Sequence, residues 1–229
     1  MIFIATFVNR MNEERKRFFL SLFFPAIFLL IIWFVKIIEI SLNLDLAYLG
    51  IYPLKSKGLI GILTAPLVHA DFSHLIANST PVFILSVGLF YFYNKIAFPV
   101  FFLTYFITNI WIWFGARYAY HIGASGLVYG LASFLFFSGI FRNHIPLMAI
   151  SLLVVFLYGG MIWGILPIQP KISWESHLMG AVAGLVLAVY YKGQGPKRKL
   201  YSWEIEEETD DENPENEYWK IDSTNNPND

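Results

Sequence analysis

The sequence predicts an all-α membrane protein: a bundle of six transmembrane helices with a long membrane-associated loop between the first and the second. Composition is the first reason, since 56% of the 229 residues are hydrophobic and only 14% charged, far from the balance of a soluble domain. The second is punctuation: charge, Pro and Gly divide the body into six apolar stretches of roughly the 20 residues that cross a bilayer. The third is where the charge goes, because 11 of the 17 acidic residues follow Leu200 and leave an almost uncharged body. A net charge of −1 points to no nucleic-acid partner, and without cysteine neither disulfides nor thiolate metal sites can form.

Residues 1–17 read as a basic N-terminus, with Arg10, Arg15, Lys16 and Arg17 ahead of the first stretch, 18–38. That stretch is too long for the apolar part of a signal peptide and no small-x-small cleavage site follows it, so it reads as a retained first helix. Residues 41–71 are long for a loop and too apolar for a disordered one, as in Leu59-Ile60-Gly61-Ile62-Leu63, so they should lie on or partly in the membrane. The remaining stretches are 72–93, 96–114, 124–141, 145–166 and 176–191. Several are short or rich in small residues, as expected of helices packed inside a bundle. The six-helix body spans 18–192, and 193–229 forms a tail whose dense acidic charge argues for disorder.

Lys and Arg near the spans number ten on one side and five on the other, which sets both termini in the cytoplasm. Every even-numbered helix then begins near the outer surface. His74 and Asn78 open the second, Ser125 the fourth and His177 the sixth, all at one depth. Polar groups there are costly among hydrocarbon and call for a function. Three helix N-termini, with their free N–H groups, also point at that layer, which suits a developing oxyanion.

Four motifs are similar to those of the rhomboid family of intramembrane serine proteases. They are His-Ala-Asp-Phe-Ser-His-Leu-Ile-Ala-Asn at 69–78, Gly-Ala-Ser-Gly at 123–126, Tyr129 one turn below Ser125, and Ser-His-Leu-Met-Gly-Ala-Val-Ala-Gly at 176–184. The resemblance covers the whole six-helix body. It implies a serine endopeptidase of membrane-protein substrates, cutting in or next to a single transmembrane helix, with Ser125 as nucleophile and His177 as general base. It further implies that His74 and Asn78 donate to the oxyanion, and that Tyr129 stacks on the imidazole. His69 reads as a hydration or loop-ordering residue. Gly123 and Gly126 let the backbone close around the serine, while Gly180 and Gly184, at small-xxx-small spacing, let the sixth helix touch the fourth. Residues 167–174 occupy the place of the family's cap over the site.

No carboxylate is needed for a dyad oriented by packing: Glu175 faces away from His177 by its spacing, and Asp71 reads as a helix cap. His121 and His144 read as core or surface histidines. The chain departs from the family at Ile60-Gly61, where Trp-Arg is usual, so the loop must be anchored differently. No His-Glu-x-x-His is present for zinc, the last three stretches hold no aspartate for an aspartyl dyad, and no metal or cofactor is expected. A second reading is a non-catalytic rhomboid-like protein that binds or escorts transmembrane segments; a small-solute transporter is a third, disfavoured by polar residues gathered near one face. The expected setting is a bacterial plasma membrane, and oligomeric state stays open.

Overall fold

The computed structural model describes residues 2–157, 161–168 and 172–196. The acidic tail beyond 196 therefore lies outside the described residues, as do 169–171 of the expected cap. Among the described residues every regular element is helical, with one isolated antiparallel bridge between Ile51 and His121. The longer helices are α1 (Ile2–Ser41), α3 (Phe72–Phe92), α4 (Ala97–Gly115), α5 (Ser125–Phe141), α6 (Ile145–Leu157) and α8 (Trp174–Tyr190), with one-turn helices α2 (Gly61–Thr64) and α7 (Met161–Gly164). Three are long and apolar enough to cross a membrane: α1 from Asn12, α3 and α4. Helices α5 and α8 are equally apolar but 17 residues long.

Helix α1 runs through the basic cluster, so the predicted first stretch is the C-terminal part of a longer helix. Pro25 sits inside α1 and cannot donate to the Ser21 carbonyl one turn back. Of the span expected over 145–166, the described residues carry α6 and α7, with 158–160 outside them, and Gly164, the last residue of α7, offers its carbonyl to the polar site.

Aromatic rings weld α1, α3 and α4: Phe24 meets Phe90, Phe98 and Phe101 with centroids 5.0 Å apart. Helix α5 lies innermost, with 126–132, Phe134, Leu135, Ser138 and Gly139 buried except for fringe atoms. It packs on α8 backbone to backbone at two glycine pairs, and Ser133 Oγ donates across the seam to Ala181 O at 2.6 Å. A Cβ at Gly180 would overlap the Gly126 carbonyl, and one at Gly184 the Gly130 carbonyl. The apolar area this buries is small, but backbone-to-backbone contact sets the interhelical distance by hard cores rather than by adjustable side chains.

The segment between α1 and α3 is a compact series of turns: Ala47–Leu49, Ser56–Gly58, α2 and Ala65–Leu67. Its anchorage answers the missing Trp-Arg pair. Gly61 lies against the backbone of Gly50 and Ile51, where any Cβ would overlap the chain, so no arginine fits. Helix α4 holds the segment instead, with Asn109 Nδ2 donating to Ile62 O at 3.0 Å, Trp113 Nε1 to Lys55 O at 3.2 Å and the Tyr105 hydroxyl to Leu63 O. Thr64 Oγ1 donates to Leu49 O at 2.5 Å.

Candidate active site

Helix α5 begins at Ser125, with Ala124 as its N-cap. First-turn N–H groups have no partner within their own helix, so the serine's backbone N–H is free where its hydroxyl emerges. Gly123, just before it, has φ +101°, a conformation open to glycine and poor for other residues. Space closes the position as well: a Cβ there would start 2.6 Å from His74 Nε2 and 3.6 Å from Asn78 Nδ2. His74 and Asn78 thus face the same backbone corner, two residues ahead of the serine.

Helix α8 supplies the imidazole. Ser173 caps it, its oxygen accepting the Ser176 N–H, and His177 follows in the first turn, 8% exposed. His177 Nε2 lies 2.8 Å from Ser125 Oγ, and Nδ1 lies 2.8 Å from Gly164 O. A carbonyl only accepts, so Nδ1 carries the ring proton, and Nε2 presents a lone pair to the serine O–H. That is the tautomer a general base needs. Tyr129 lies flat on the ring, centroids 4.2 Å apart and planes within 10°. Imidazole orientation therefore comes from a stacked phenol and a backbone carbonyl. Glu175 does not take part: it is buried and 3.7 Å from Arg117 Nε, while His121 bonds Ser173 Oγ at 2.6 Å.

Helix α3 brings the donors. Asp71 caps it by accepting the His74 N–H at 2.7 Å. Asn78 Nδ2 donates one hydrogen to His74 O at 3.1 Å, and its second hydrogen remains on the side toward Gly123. His69 is buried beside them, its ring edge-on to His74 with centroids 5.1 Å apart. Burial, aided by His74, pushes its pKa down to about 3. The unfolded chain then binds the extra proton between pH 6.5 and about 3, so stability falls as pH drops through that window, by up to about 1.4 kcal/mol per unit. His69→Gln should flatten the acid side of a melting-temperature profile between pH 7 and 4; an unchanged slope would refute that assignment.

The structure thus brings Ser125, His177, His74, Asn78, Tyr129 and Gly123 into one cluster, with Gly126, Gly180 and Gly184 in the α5–α8 seam beneath it. The sequence reading missed two members. Gly164 contributes only a carbonyl, which carries no sequence signal. Gly130 was legible, since Gly126 and Gly130 repeat the four-residue spacing of Gly180 and Gly184.

The Rhomboid domain profile matches residues 56–194. The chain belongs to the rhomboid family. Uncharacterized proteins of Mycobacterium tuberculosis and Mycobacterium bovis are 37% identical to this rhomboid over 184 residues, 75% of either chain. YdcA of Bacillus subtilis, provisionally named a rhomboid protease, is 29% identical over 139 residues, 56% of this chain and 64% of its own. Family membership and three span-length apolar helices make this rhomboid a membrane protein with bacterial relatives, and suggest a hydrolase. The matched residues contain every member of the cluster.

Proposed function

We propose that this rhomboid is an intramembrane serine endopeptidase, cutting peptide bonds in or next to the transmembrane helices of its substrates with a Ser125–His177 dyad. One observation supports this above the rest: the 2.8 Å approach of Ser125 Oγ to an Nε2 whose tautomer is set from behind by Gly164. Ser125 Oγ attacks the scissile carbonyl as its proton passes to Nε2. The tetrahedral oxyanion is met by the Ser125 N–H, His74 Nε2–H and the second Asn78 amide hydrogen. His177 then returns its proton to the leaving amine, and water, activated by the same nitrogen, releases the acyl group.

In this reading α1, α3, α4, α5, α6 with α7, and α8 are the six spans of an 18–192 protease domain, between a basic N-terminus and an acidic tail. The segment before α3 lies in the membrane interface, where Leu54, Leu59, Ile60 and Leu63 are exposed. Both termini face the cytoplasm, on the Lys and Arg bias. Substrates are single-span proteins of a bacterial plasma membrane, and no cofactor enters the reaction.

The test is purified protein in proteoliposomes with a panel of single-span substrates. Cleavage within or beside the span, and fluorophosphonate labelling that Ser125→Ala abolishes, are the expected results. Labelling without cleavage of any panel member, or cleavage that survives Ser125→Ala, would refute the proposal. His74→Ala and Asn78→Ala should each lower kcat about 10²–10³-fold with KM little changed, the usual loss for one oxyanion donor. A rise in KM alone would mean that they only bind substrate.

A further inference from the structure

Lys36 is a charged residue in the apolar part of α1, 6% exposed, and the dyad chemistry makes no use of it. Its ammonium spends all three N–H groups: on Glu39 Oε2 at 2.8 Å, His69 O at 2.9 Å and Ala70 O at 3.0 Å. Glu39 Oε1 accepts the Leu46 N–H at 3.1 Å, so the pair is satisfied on both sides. A buried ion pair of this kind is weak evidence for stability, since an apolar pair of similar volume often does as well. Its position suggests another use.

The His69 carbonyl and the Ala70 N–H belong to one peptide group. Lys36 sits on the oxygen of that group, and the N–H at its other end donates to His74 Nδ1 at 3.5 Å. A cation on an amide oxygen withdraws density through the C–N resonance and strengthens the N–H as a donor. The chain of contacts therefore runs from the ammonium, through one peptide plane, to Nδ1. An Nδ1 that accepts leaves the proton of a neutral imidazole on Nε2, the atom that faces Gly123. We infer that Lys36 is a positioning residue that keeps the proton of His74 on Nε2, so that the ring is a donor before substrate arrives.

This inference rests on His74 serving the oxyanion, as in the proposed reaction. The groups facing the His74 ring and first turn are Lys36 with Glu39 from α1, His69 from the preceding turn, Asp71 at the cap and His177 from α8. Among the described residues, the Lys36-bonded peptide is the group positioned to decide between the two ring nitrogens.

The experiment uses the full chain in proteoliposomes. The paired substitution Lys36→Met with Glu39→Gln removes the ammonium without stranding a buried carboxylate, and an amide oxygen is left to accept from Leu46. It should lower kcat about tenfold or more at unchanged KM, less than the loss of the donor itself. In a His74→Ala background the same pair should change kcat less than twofold, because the effect passes through that ring. An equal loss in both backgrounds, or kcat within twofold of wild type in the intact one, overturns the inference. A second measurement needs no variant to fold poorly or well: ¹⁵N-histidine spectra of the wild-type protein should give His74 protonated on Nε2 and bare on Nδ1, and the opposite tautomer overturns the inference. If the wild-type protein cleaves nothing, the protease proposal falls while spectra of the wild type and of the Lys36→Met, Glu39→Gln variant still test the role of Lys36, which an unchanged His74 tautomer in the variant overturns.

Discussion

Ser125→Ala and His177→Ala are each expected to lower turnover of a single-span substrate by about 10⁴-fold or more, with the double variant no worse than either. The reason is geometric. Serine is a weak nucleophile unless its proton has somewhere to go at the moment of attack, and Nε2 of His177, 2.8 Å away, is the acceptor that the described residues present to it. Removing the imidazole leaves an oxygen with no base; removing the hydroxyl leaves a base with nothing to activate. Each loss alone exhausts the effect, so the two free energies should not add. Mass-spectrometric quantification of cleaved substrate under single-turnover conditions reads this directly. Losses that multiply in the double variant would mean that the two residues act independently, and the dyad would have to be abandoned.

Gly180→Ala should produce the second large effect, although position 180 touches no substrate. A Cβ there would overlap the Gly126 carbonyl, in a seam where Gly184 and Gly130 meet the same way. Backbone cannot rotate aside as a side chain can, so the helices must part. His177 stands one turn before Gly180 on α8, and Ser125 adjoins Gly126 on α5, so the separation opens between the reacting atoms themselves. A displacement of about 1 Å is enough to cost on the order of 10²-fold in rate, and overpacking typically costs about 1–3 kcal/mol of stability. The expected outcome is a fall in kcat of that size together with a lowered unfolding temperature, and slower fluorophosphonate labelling of Ser125. Full activity would show that the seam tolerates a methyl group and that the site has slack.

The chemistry-bearing side chains were legible because each sits at the start of its helix and is foreign to hydrocarbon; a hydroxyl or an imidazole at that depth is conspicuous in any sequence. Asp71 was legible as a cap, and Gly180 and Gly184 as a contact, since both follow local spacing rules. Gly164 was not, because every residue owns a carbonyl and only the turn of α7 decides which one reaches Nδ1. Lys36 stands near the end of an apolar stretch, where a charge is ordinary, yet its partners include carbonyls 33 and 34 residues away, a separation that no local pattern encodes. Gly61 shows the converse: the absence of an arginine was visible, but only the backbone of Gly50 and Ile51 beside it explains why none could be there.

The innermost position of α5 also bears on how such a site is assembled. Residue 125 leaves the ribosome 52 positions ahead of residue 177, a lag of a few seconds at about 5–20 residues per second. During that interval Ser125 exists without His177. Helix α5 is about 25 Å long at 1.5 Å per residue, short of the roughly 30 Å hydrocarbon core, and two of the helices it packs on, α6 and α8, are synthesised after it. On the proposed reading the nascent chain cannot cut the membrane proteins inserting around it, because Ser125 meets His177 only when α8 arrives and its glycines close on α5.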